Sequence, residues 1–95
     1  MRLTLYSSVP NATTPNLVAL QDELLSALPT VLVCPLRADM EMTTLRVRIR
    51  LKGQVLVALP ELVRPIRRTA LRPMGLLAPE ASKQVMERLQ LILAQ

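Results

Sequence analysis

Several residue types on which enzymes commonly depend are rare or absent in this chain of 95 residues. It contains no histidine, phenylalanine or tryptophan, one cysteine and two glycines. The lack of histidine excludes Ser-His-Asp and Cys-His catalysis and any histidine-containing zinc site. One cysteine cannot form a thiolate cluster, and Gly53 and Gly75 cannot form a glycine-rich phosphate loop. We predict no metal and no cofactor, so any catalysis would rest on Arg, Lys, Ser, Thr and acidic side chains.

The single cysteine, Cys34, ends the apolar run Val31-Leu32-Val33-Cys34. This position is typical of a buried structural thiol. A nucleophilic cysteine needs a base to form the thiolate, and no histidine is present for that role. We predict that Cys34 is buried, unreactive and without a disulfide partner in its own chain.

Aromatic residues are equally scarce, since Tyr6 is the only one. Proteins that hold single-stranded nucleic acid usually stack its bases on aromatic side chains. Contact with RNA or DNA would here depend on phosphate charge and arginine planes. Direct nucleic-acid binding is therefore left open but is not favoured.

The chain is short and rich in hydrophobic residues, which make up 51% of it. A chain of this length forms one domain with a marginal core, so we predict a single domain over residues 1–95 and a homo-oligomer that buries the apolar surplus. No stretch reaches the roughly 18 apolar residues of a membrane-spanning helix, and the first 15 residues hold no apolar run of signal-peptide length. These features predict a soluble, cytoplasmic protein with no membrane partner.

Positive charge is concentrated in the middle of the chain. The formal net charge is +5, from 12 Lys and Arg against 7 Asp and Glu. Glu61 is the only acid between residues 46 and 72. The same stretch holds eight cations: Arg46, Arg48, Arg50, Lys52, Arg64, Arg67, Arg68 and Arg72. A field of this sign attracts nucleic acid, acidic protein segments and anionic membranes alike.

The clearest pattern is the strict alternation over residues 44–52, which ends at Gly53. In a β-strand such alternation sends the odd, apolar positions to a core and the even positions to the opposite face. The odd positions are Leu45, Val47, Ile49 and Leu51, and the even cations are Arg46, Arg48, Arg50 and Lys52. Same-face residues lie roughly 6.6 Å apart, so the cations would form a stripe about 20 Å long. We interpret the stripe first as a solvated outer face and second as a docking surface for an anionic partner.

The rest of the sequence predicts a small antiparallel β protein. Strands are predicted at 2–6, 17–20, 30–36, 44–52 and 55–59, then a turn, an edge strand around Pro65 and a last piece of strand at 76–77. The fourth and fifth strands form a hairpin around Gly53. A short helix is predicted to begin at Asp22 and to stop at Pro29. Residues 72–75 are predicted to be a break.

A long helix is predicted at the C-terminal end of the chain. Pro79 suits its first position, and Glu80 complements its positive end. Apolar residues then recur at helical spacing. The last turn, residues 91–95, is apolar nearly all round, which is more than one core-facing stripe needs. This turn either packs between subunits or contacts a partner.

In order and spacing, these elements resemble the small-barrel fold shared by the CcdB and MazF toxins, and the residues are more similar to CcdB. Residues 1–6, with Tyr6 at the matching place, are similar to the first strand of CcdB. Further similar segments are residues 17–21, Val33 with Pro35-Leu36, residues 55–59, Glu61-Leu62, Pro65 and residues 71–77. The resemblance implies an α+β fold with a small curled antiparallel sheet, or SH3-like barrel, of five to six strands. It places a short helix after the second strand and a long helix at the C-terminus.

The resemblance also implies the toxin of a type II toxin–antitoxin system, acting in plasmid maintenance as a homodimer and neutralised by a cognate, partly disordered antitoxin. CcdB poisons DNA gyrase through the end of its last helix. That end corresponds here to Ile92, Leu93, Ala94 and Gln95, without the Gly-Ile that is typical of CcdB. Antitoxin tails are commonly acidic and amphipathic. The candidate antitoxin-docking residues are therefore Arg46, Arg48, Arg50 and Lys52.

MazF-like RNA cleavage is the alternative activity. MazF-like nucleases generally carry Arg-Pro at the start of the second strand and Thr or Ser after the Pro-Leu that ends the third. At those places this chain has Thr14-Pro15 and Arg37. An arginine at 37 could stabilise a developing phosphorane, but no base stands beside it. The resemblance therefore favours a gyrase inhibitor over an enzyme, with an endoribonuclease or a non-toxic antitoxin-binding member as alternatives.

Overall fold

The computed structural model describes residues 1–21 and 28–94, which form one antiparallel sheet and one α-helix. The strands are β1 Thr4–Ser7, β2 Leu17–Ala19, β3 Thr30–Arg37, β4 Val47–Leu51, β5 Gln54–Ala58, β6 Arg64–Arg67 and β7 Arg72–Leu76, and the helix is α1 Pro79–Leu93. Short 3-10 turns at Pro60–Leu62 and Arg68–Ala70 flank β6. The predicted fold class is confirmed, and the described part of the chain holds seven strands rather than five to six.

The sheet as described has three strands with one open side, namely β4 and β7 at the ends of its main path and β6 beside β3. Its order is β4-β5-β3-β2-β1-β7, and β6 pairs with β3 outside this path. β3 is the longest strand, and it pairs with β2 on one side and with β6 and then β5 on the other. Because β5 joins β3 only at Leu36 and Arg37, the β4-β5 hairpin continues the sheet beyond the end of β3.

The alternating strands bury side chains on both faces of the curled sheet. The larger cluster lies between the sheet and α1 and contains Leu3, Leu5, Val18, Leu20, Cys34, Leu36, Val47, Ile49, Leu56, Ala58, Leu77, Val85 and Leu89. A smaller cluster lies on the other face and contains Tyr6, Leu17, Ala19, Val31 and Val33. The predicted burial of β2 is confirmed, since all of its residues are buried.

The helix α1 begins where the sequence predicts, with Pro79 in its first turn and Glu80 beside it. Val85 and Leu89 are buried against the sheet. Its one buried polar side chain, Ser82, joins the helix to the N-terminal strand region: the Leu3 N–H donates to Ser82 Oγ at 3.0 Å. No helix in the described part of the chain has the length and apolar character needed to cross a membrane.

The predicted hairpin between the fourth and fifth strands is confirmed. Leu51 pairs with Gln54 across a two-residue turn formed by Lys52 and Gly53, with φ of +49° and +79°. Positive φ at both central residues is the requirement of a type I′ turn, whose twist matches that of the strands. Glycine meets this requirement at no steric cost, and lysine meets it with strain.

Other predicted boundaries differ from the structure. The fourth strand is shorter than residues 44–52, because Leu45 and Arg46 lie in the approach to β4. The predicted break at 72–75 is wrong, since these residues belong to β7. β7 is an edge strand, where a proline is tolerated, and a register irregularity in its pairing with β1 accommodates the local sequence. The helix predicted from Asp22 to Pro29 falls mainly on residues 22–27, outside the described residues, and Leu28 is not helical.

Candidate functional site

The structure divides the cation stripe predicted on the fourth strand. Arg46 Nε donates to Glu61 Oε2 at 2.8 Å, and its Nη1 donates to the carbonyl oxygen of Glu41 at 2.7 Å. Lys52 lies in the hairpin turn rather than on the strand. Arg48 and Arg50 are therefore the two stripe residues that lie within β4 as exposed cations.

The strand register places a third arginine, Arg37, near Arg48 and Arg50. β3 pairs Arg37 with Val57, and β4 pairs Arg48 with the same valine. On the next row, Arg50 pairs with Val55. Two inter-strand spacings, together about 9.6 Å, separate Arg37 from Arg48. We call Arg37, Arg48, Arg50, Val55 and Val57 the arginine face.

The arginine face combines free cations with partly covered apolar surface. Leu56 and Ala58 belong to the core, so the alternate residues Val55 and Val57 point to the opposite side. Val55 is 44% exposed, whereas Val57 is only 4% exposed. Long arginine stems cover apolar surface while the guanidinium stays in water. The register sets Val57 between Arg37 and Arg48, where such stems can lie over it.

The three guanidinium groups of this face have no hydrogen-bond or ion-pair partner among residues 1–21 and 28–94. All three residues are exposed. The single ion pair in the described part of the chain joins Arg46 to Glu61, just beyond the face. The face is therefore an uncompensated patch of positive charge.

The backbone of β4 is also open on one side. β4 ends the sheet, with β5 as its neighbour. The two-residue turn makes Leu51 and Gln54 a hydrogen-bonded pair, and such pairs alternate along an antiparallel ladder. The N–H and C=O groups of Arg48 and Arg50 therefore point away from β5. No backbone hydrogen bond from another described segment reaches them.

The end of α1, predicted as the contact site for a gyrase-like target, lies at the surface. Leu93 is 71% exposed and Leu91 is 54% exposed. Ile92 is half-buried and Ala94 is exposed, while Gln95 lies outside the described residues. The helix thus ends in apolar side chains that its own sheet does not cover.

Cys34 is buried at 0% exposure and belongs to the larger core cluster, as predicted. Burial raises the pKa of its thiol to about 12, against a smaller lowering by a hydrogen bond with the Leu59 backbone. The negative charge of Glu61 raises this pKa further. Such a thiol stays protonated at neutral pH and is not a nucleophile. Among the described residues, no cluster of His, Cys, Asp or Glu could hold a metal ion.

The two places that correspond to the MazF catalytic residues lie close together in this fold. Leu17 pairs with Pro35, and the Leu36 N–H donates to the Asn16 carbonyl at 2.8 Å. The next residues are Pro15, just before β2, and Arg37, the last residue of β3, so the register places Thr14-Pro15 and Arg37 at the same end of these strands. A cleft of about 90 Å³ lies beside Thr14 and Pro15. It is smaller than the roughly 300 Å³ of typical small-molecule sites.

Arg37 and the two valines were not predicted to share a surface with the β4 arginines. Nothing in the local sequence indicates it, because the arrangement depends on the pairing of β5 with β3. The outward position of Val55 and Val57 could have been inferred from alternation along β5. The position of Arg37 beside Val57, on the β3 side, could not be inferred in this way.

Comparisons with known proteins support the fold but no family assignment. No family model matches the chain, and no curated protein matches it. A chain in the crystal structure of MazE–MazF (Form-II) from Deinococcus radiodurans is similar, with a TM-score of 0.73 and 12% sequence identity. The match covers 99% of this chain and 91% of that one. At this identity the likeness establishes a shared fold, the CcdB/MazF-like curled sheet with a C-terminal helix.

Proposed function

We propose that this chain is the toxin component of a type II toxin–antitoxin pair. The observation that carries the proposal is the fold match to a chain of a MazE–MazF complex, which extends over nearly all of both chains. The order of sequence motifs supports the same assignment. The proposed assembly is a homodimer bound by a cognate antitoxin, and light scattering of the purified protein with and without that partner tests it.

The first candidate for toxic action is CcdB-like inhibition of DNA gyrase through the end of α1. Leu91 and Leu93 supply exposed apolar surface at this end, and burying a leucine side chain in an interface contributes about 1.5–3 kcal/mol. Binding there would need no catalytic group, which fits a chain without histidine. Residues Ile92 to Gln95 form the proposed contact.

Deletion of residues 93–95 tests this contact. We expect loss of growth inhibition and of gyrase-dependent DNA cleavage while the far-UV circular dichroism stays unchanged. Leu93→Ser is the milder variant, and Leu32→Ser is its control, because Leu32 is an exposed leucine (45%) that lies on β3 rather than on α1. Full toxicity of both the truncation and Leu93→Ser would remove the C-terminal mechanism.

The second candidate is MazF-like RNA cleavage. The strand register around Arg37 supports this candidate. MazF-like nucleases have Arg on the second strand and Thr or Ser after the third, whereas here Thr14 and Arg37 hold the exchanged positions. A guanidinium at Arg37 would stabilise the negative charge of a phosphorane from the neighbouring strand. Arg37 belongs to an exposed surface, so RNA could reach it.

Expression in bacteria followed by two assays separates the candidates. Gyrase-dependent DNA cleavage supports the first, and sequence-specific RNA 5′ ends that disappear with Arg37→Gln support the second. Arg64→Gln is the control for the RNA assay, because Arg64 is exposed and lies on β6, away from Thr14. Absence of growth inhibition, DNA cleavage and RNA cleavage would overturn the toxin proposal.

A further inference from the structure

We propose that the free edge of β4 binds an extended acidic segment of a partner protein by strand addition. In this arrangement the backbone of the segment pairs with Arg48 and Arg50, and its carboxylates face their guanidinium groups. The inference deepens the proposed function, because the segment would belong to the antitoxin. Only the identity of the partner rests on the proposed function. The binding of an acidic segment is argued from the free edge of β4.

The backbone of β4 supplies the hydrogen bonds that strand addition requires. Arg48 and Arg50 each direct one N–H and one C=O away from β5, and neither residue is a proline. No backbone group of another described segment hydrogen-bonds to them. An added strand would continue the antiparallel sheet from its outer edge, which is a recurring mode of peptide recognition.

The side chains of β4 set the pattern of the segment that fits. Arg48 and Arg50 lie roughly 6.6 Å apart on one face, which is the spacing of alternate residues in any strand. Acidic residues at positions i and i+2 of the segment would therefore each meet one arginine. The residue between them would point to the core side, beside Ile49 and the half-buried Leu51. An acidic-apolar-acidic alternation matches this edge.

Charge argues against a second copy of this chain as the occupant. Pairing two β4 strands would place arginines of one copy against arginines of the other, and like charges opposite each other destabilise a sheet. An acidic strand converts each of these repulsions into an attraction. Arg37, across Val57 from Arg48, adds to the field without reaching the edge.

The same features favour a peptide over a nucleic acid. A nucleic-acid backbone offers phosphates to the guanidinium groups, but it has no regular row of amide donors and carbonyl acceptors to pair with the edge. Proteins that bind single-stranded nucleic acid usually stack its bases on aromatic side chains. The apolar residues of the arginine face are instead Val55 and Val57. RNA binding is accordingly the competing outcome of the test.

Fluorescence anisotropy with the purified chain tests the proposal. The probe is a short labelled peptide that alternates Glu and Val, and the comparison probes are a Lys-Val peptide, an oligouridine and a Glu-Val peptide N-methylated on the amides that face the edge. The variant is Arg48→Gln/Arg50→Gln. Its matched control is Arg64→Gln/Arg67→Gln, which removes the same charge from two exposed arginines on β6.

We expect the Glu-Val peptide to bind and the Lys-Val peptide not to bind. The β4 variant should weaken binding about tenfold, because two exposed charge pairs are lost, and the β6 control should weaken it less than about twofold. N-methylation should weaken binding at least about tenfold, because it removes backbone hydrogen bonds.

Three results would overturn the proposal: no binding of the Glu-Val peptide, equal binding of the N-methylated peptide, or equal losses in the two variants. Tight binding of oligouridine with no peptide binding would assign the edge to nucleic acid instead. Growth inhibition is scored separately. Peptide binding by a non-toxic chain removes the toxin proposal alone, and toxicity without peptide binding removes the edge proposal alone.

Discussion

Replacement of Ser82 by alanine should destabilise the protein measurably, although it removes a single oxygen atom. Ser82 is 1% exposed, and its Oγ accepts the hydrogen bond of the equally buried Leu3 N–H at 3.0 Å. It also donates to the Leu77 carbonyl at 3.3 Å, but that carbonyl keeps a second donor, Arg2 Nε, at 3.0 Å. The alanine variant therefore leaves one buried donor, the Leu3 N–H, without a partner.

The magnitude follows from this single orphaned donor. A buried unsatisfied N–H costs about 1–3 kcal/mol, and the better helix propensity of alanine returns about 0.5 kcal/mol. We expect a net loss of about 1–2 kcal/mol in the free energy of unfolding. For a domain of this size, that corresponds to a fall in Tm of about 5–15 °C.

Urea denaturation followed by circular dichroism measures the loss, and hydrogen exchange locates it. Lys83→Ala is the control, because Lys83 is the exposed neighbour on the same helix and should change stability by less than about 0.5 kcal/mol. The Leu3 amide should exchange faster in Ser82→Ala than in the wild type. Equal stability of the two variants, with unchanged exchange at Leu3, would refute the assigned role of Ser82.

Three further predictions concern β4, its turn and the core beneath them. The pKa of Cys34 is about 12 in the folded protein, against 9.0 for a free thiol. The free energy of unfolding should therefore be independent of this thiol below pH 9 and should fall as the pH rises toward 12, because the thiol ionises first in the unfolded chain. Between pH 8 and about pH 10.5 this fall amounts to about 2 kcal/mol, and it should be absent in Cys34→Ala. Lys52→Asn should stabilise the hairpin by about 0.5–1 kcal/mol in urea denaturation, since asparagine tolerates positive φ before Gly53 better than lysine does. Glu61→Gln should release Arg46 from its ion pair and tighten binding of the Glu-Val peptide about twofold by anisotropy; weaker binding would contradict the assigned pairing.

Features that depend on neighbouring residues were predictable from the sequence. The hairpin follows from Gly53 between the alternating run and the apolar run that follows it, and the start of α1 follows from Pro79 and Glu80. Cys34 was correctly predicted as buried, because the residues before it are apolar. In each case the deciding interaction lies within a few positions along the chain.

Features that depend on distant pairing were not predictable in the same way. Arg46 is not a free cation of the predicted stripe, because it donates a hydrogen bond to Glu61, fifteen positions away. Arg37 joined the arginine face because β3 pairs with β5. β7 was mistaken for a break because Pro73 and Gly75 are unfavourable inside a sheet, and they are tolerated here since β7 lies at an edge.

The two ends of the main path of the sheet, β7 and β4, are protected by different means, and the difference bears on the proposed partner. β7 carries Pro73, which cannot donate a ladder hydrogen bond and so hinders pairing with any strand. β4 carries no proline, and its protection is the charge of Arg48 and Arg50. Proline closes an edge to every partner, whereas arginine closes it to identical and basic strands and leaves it open to acidic ones. Charged side chains and proline both protect an edge strand against aggregation, but only the arginines of β4 leave the edge open to the acidic segment that we propose.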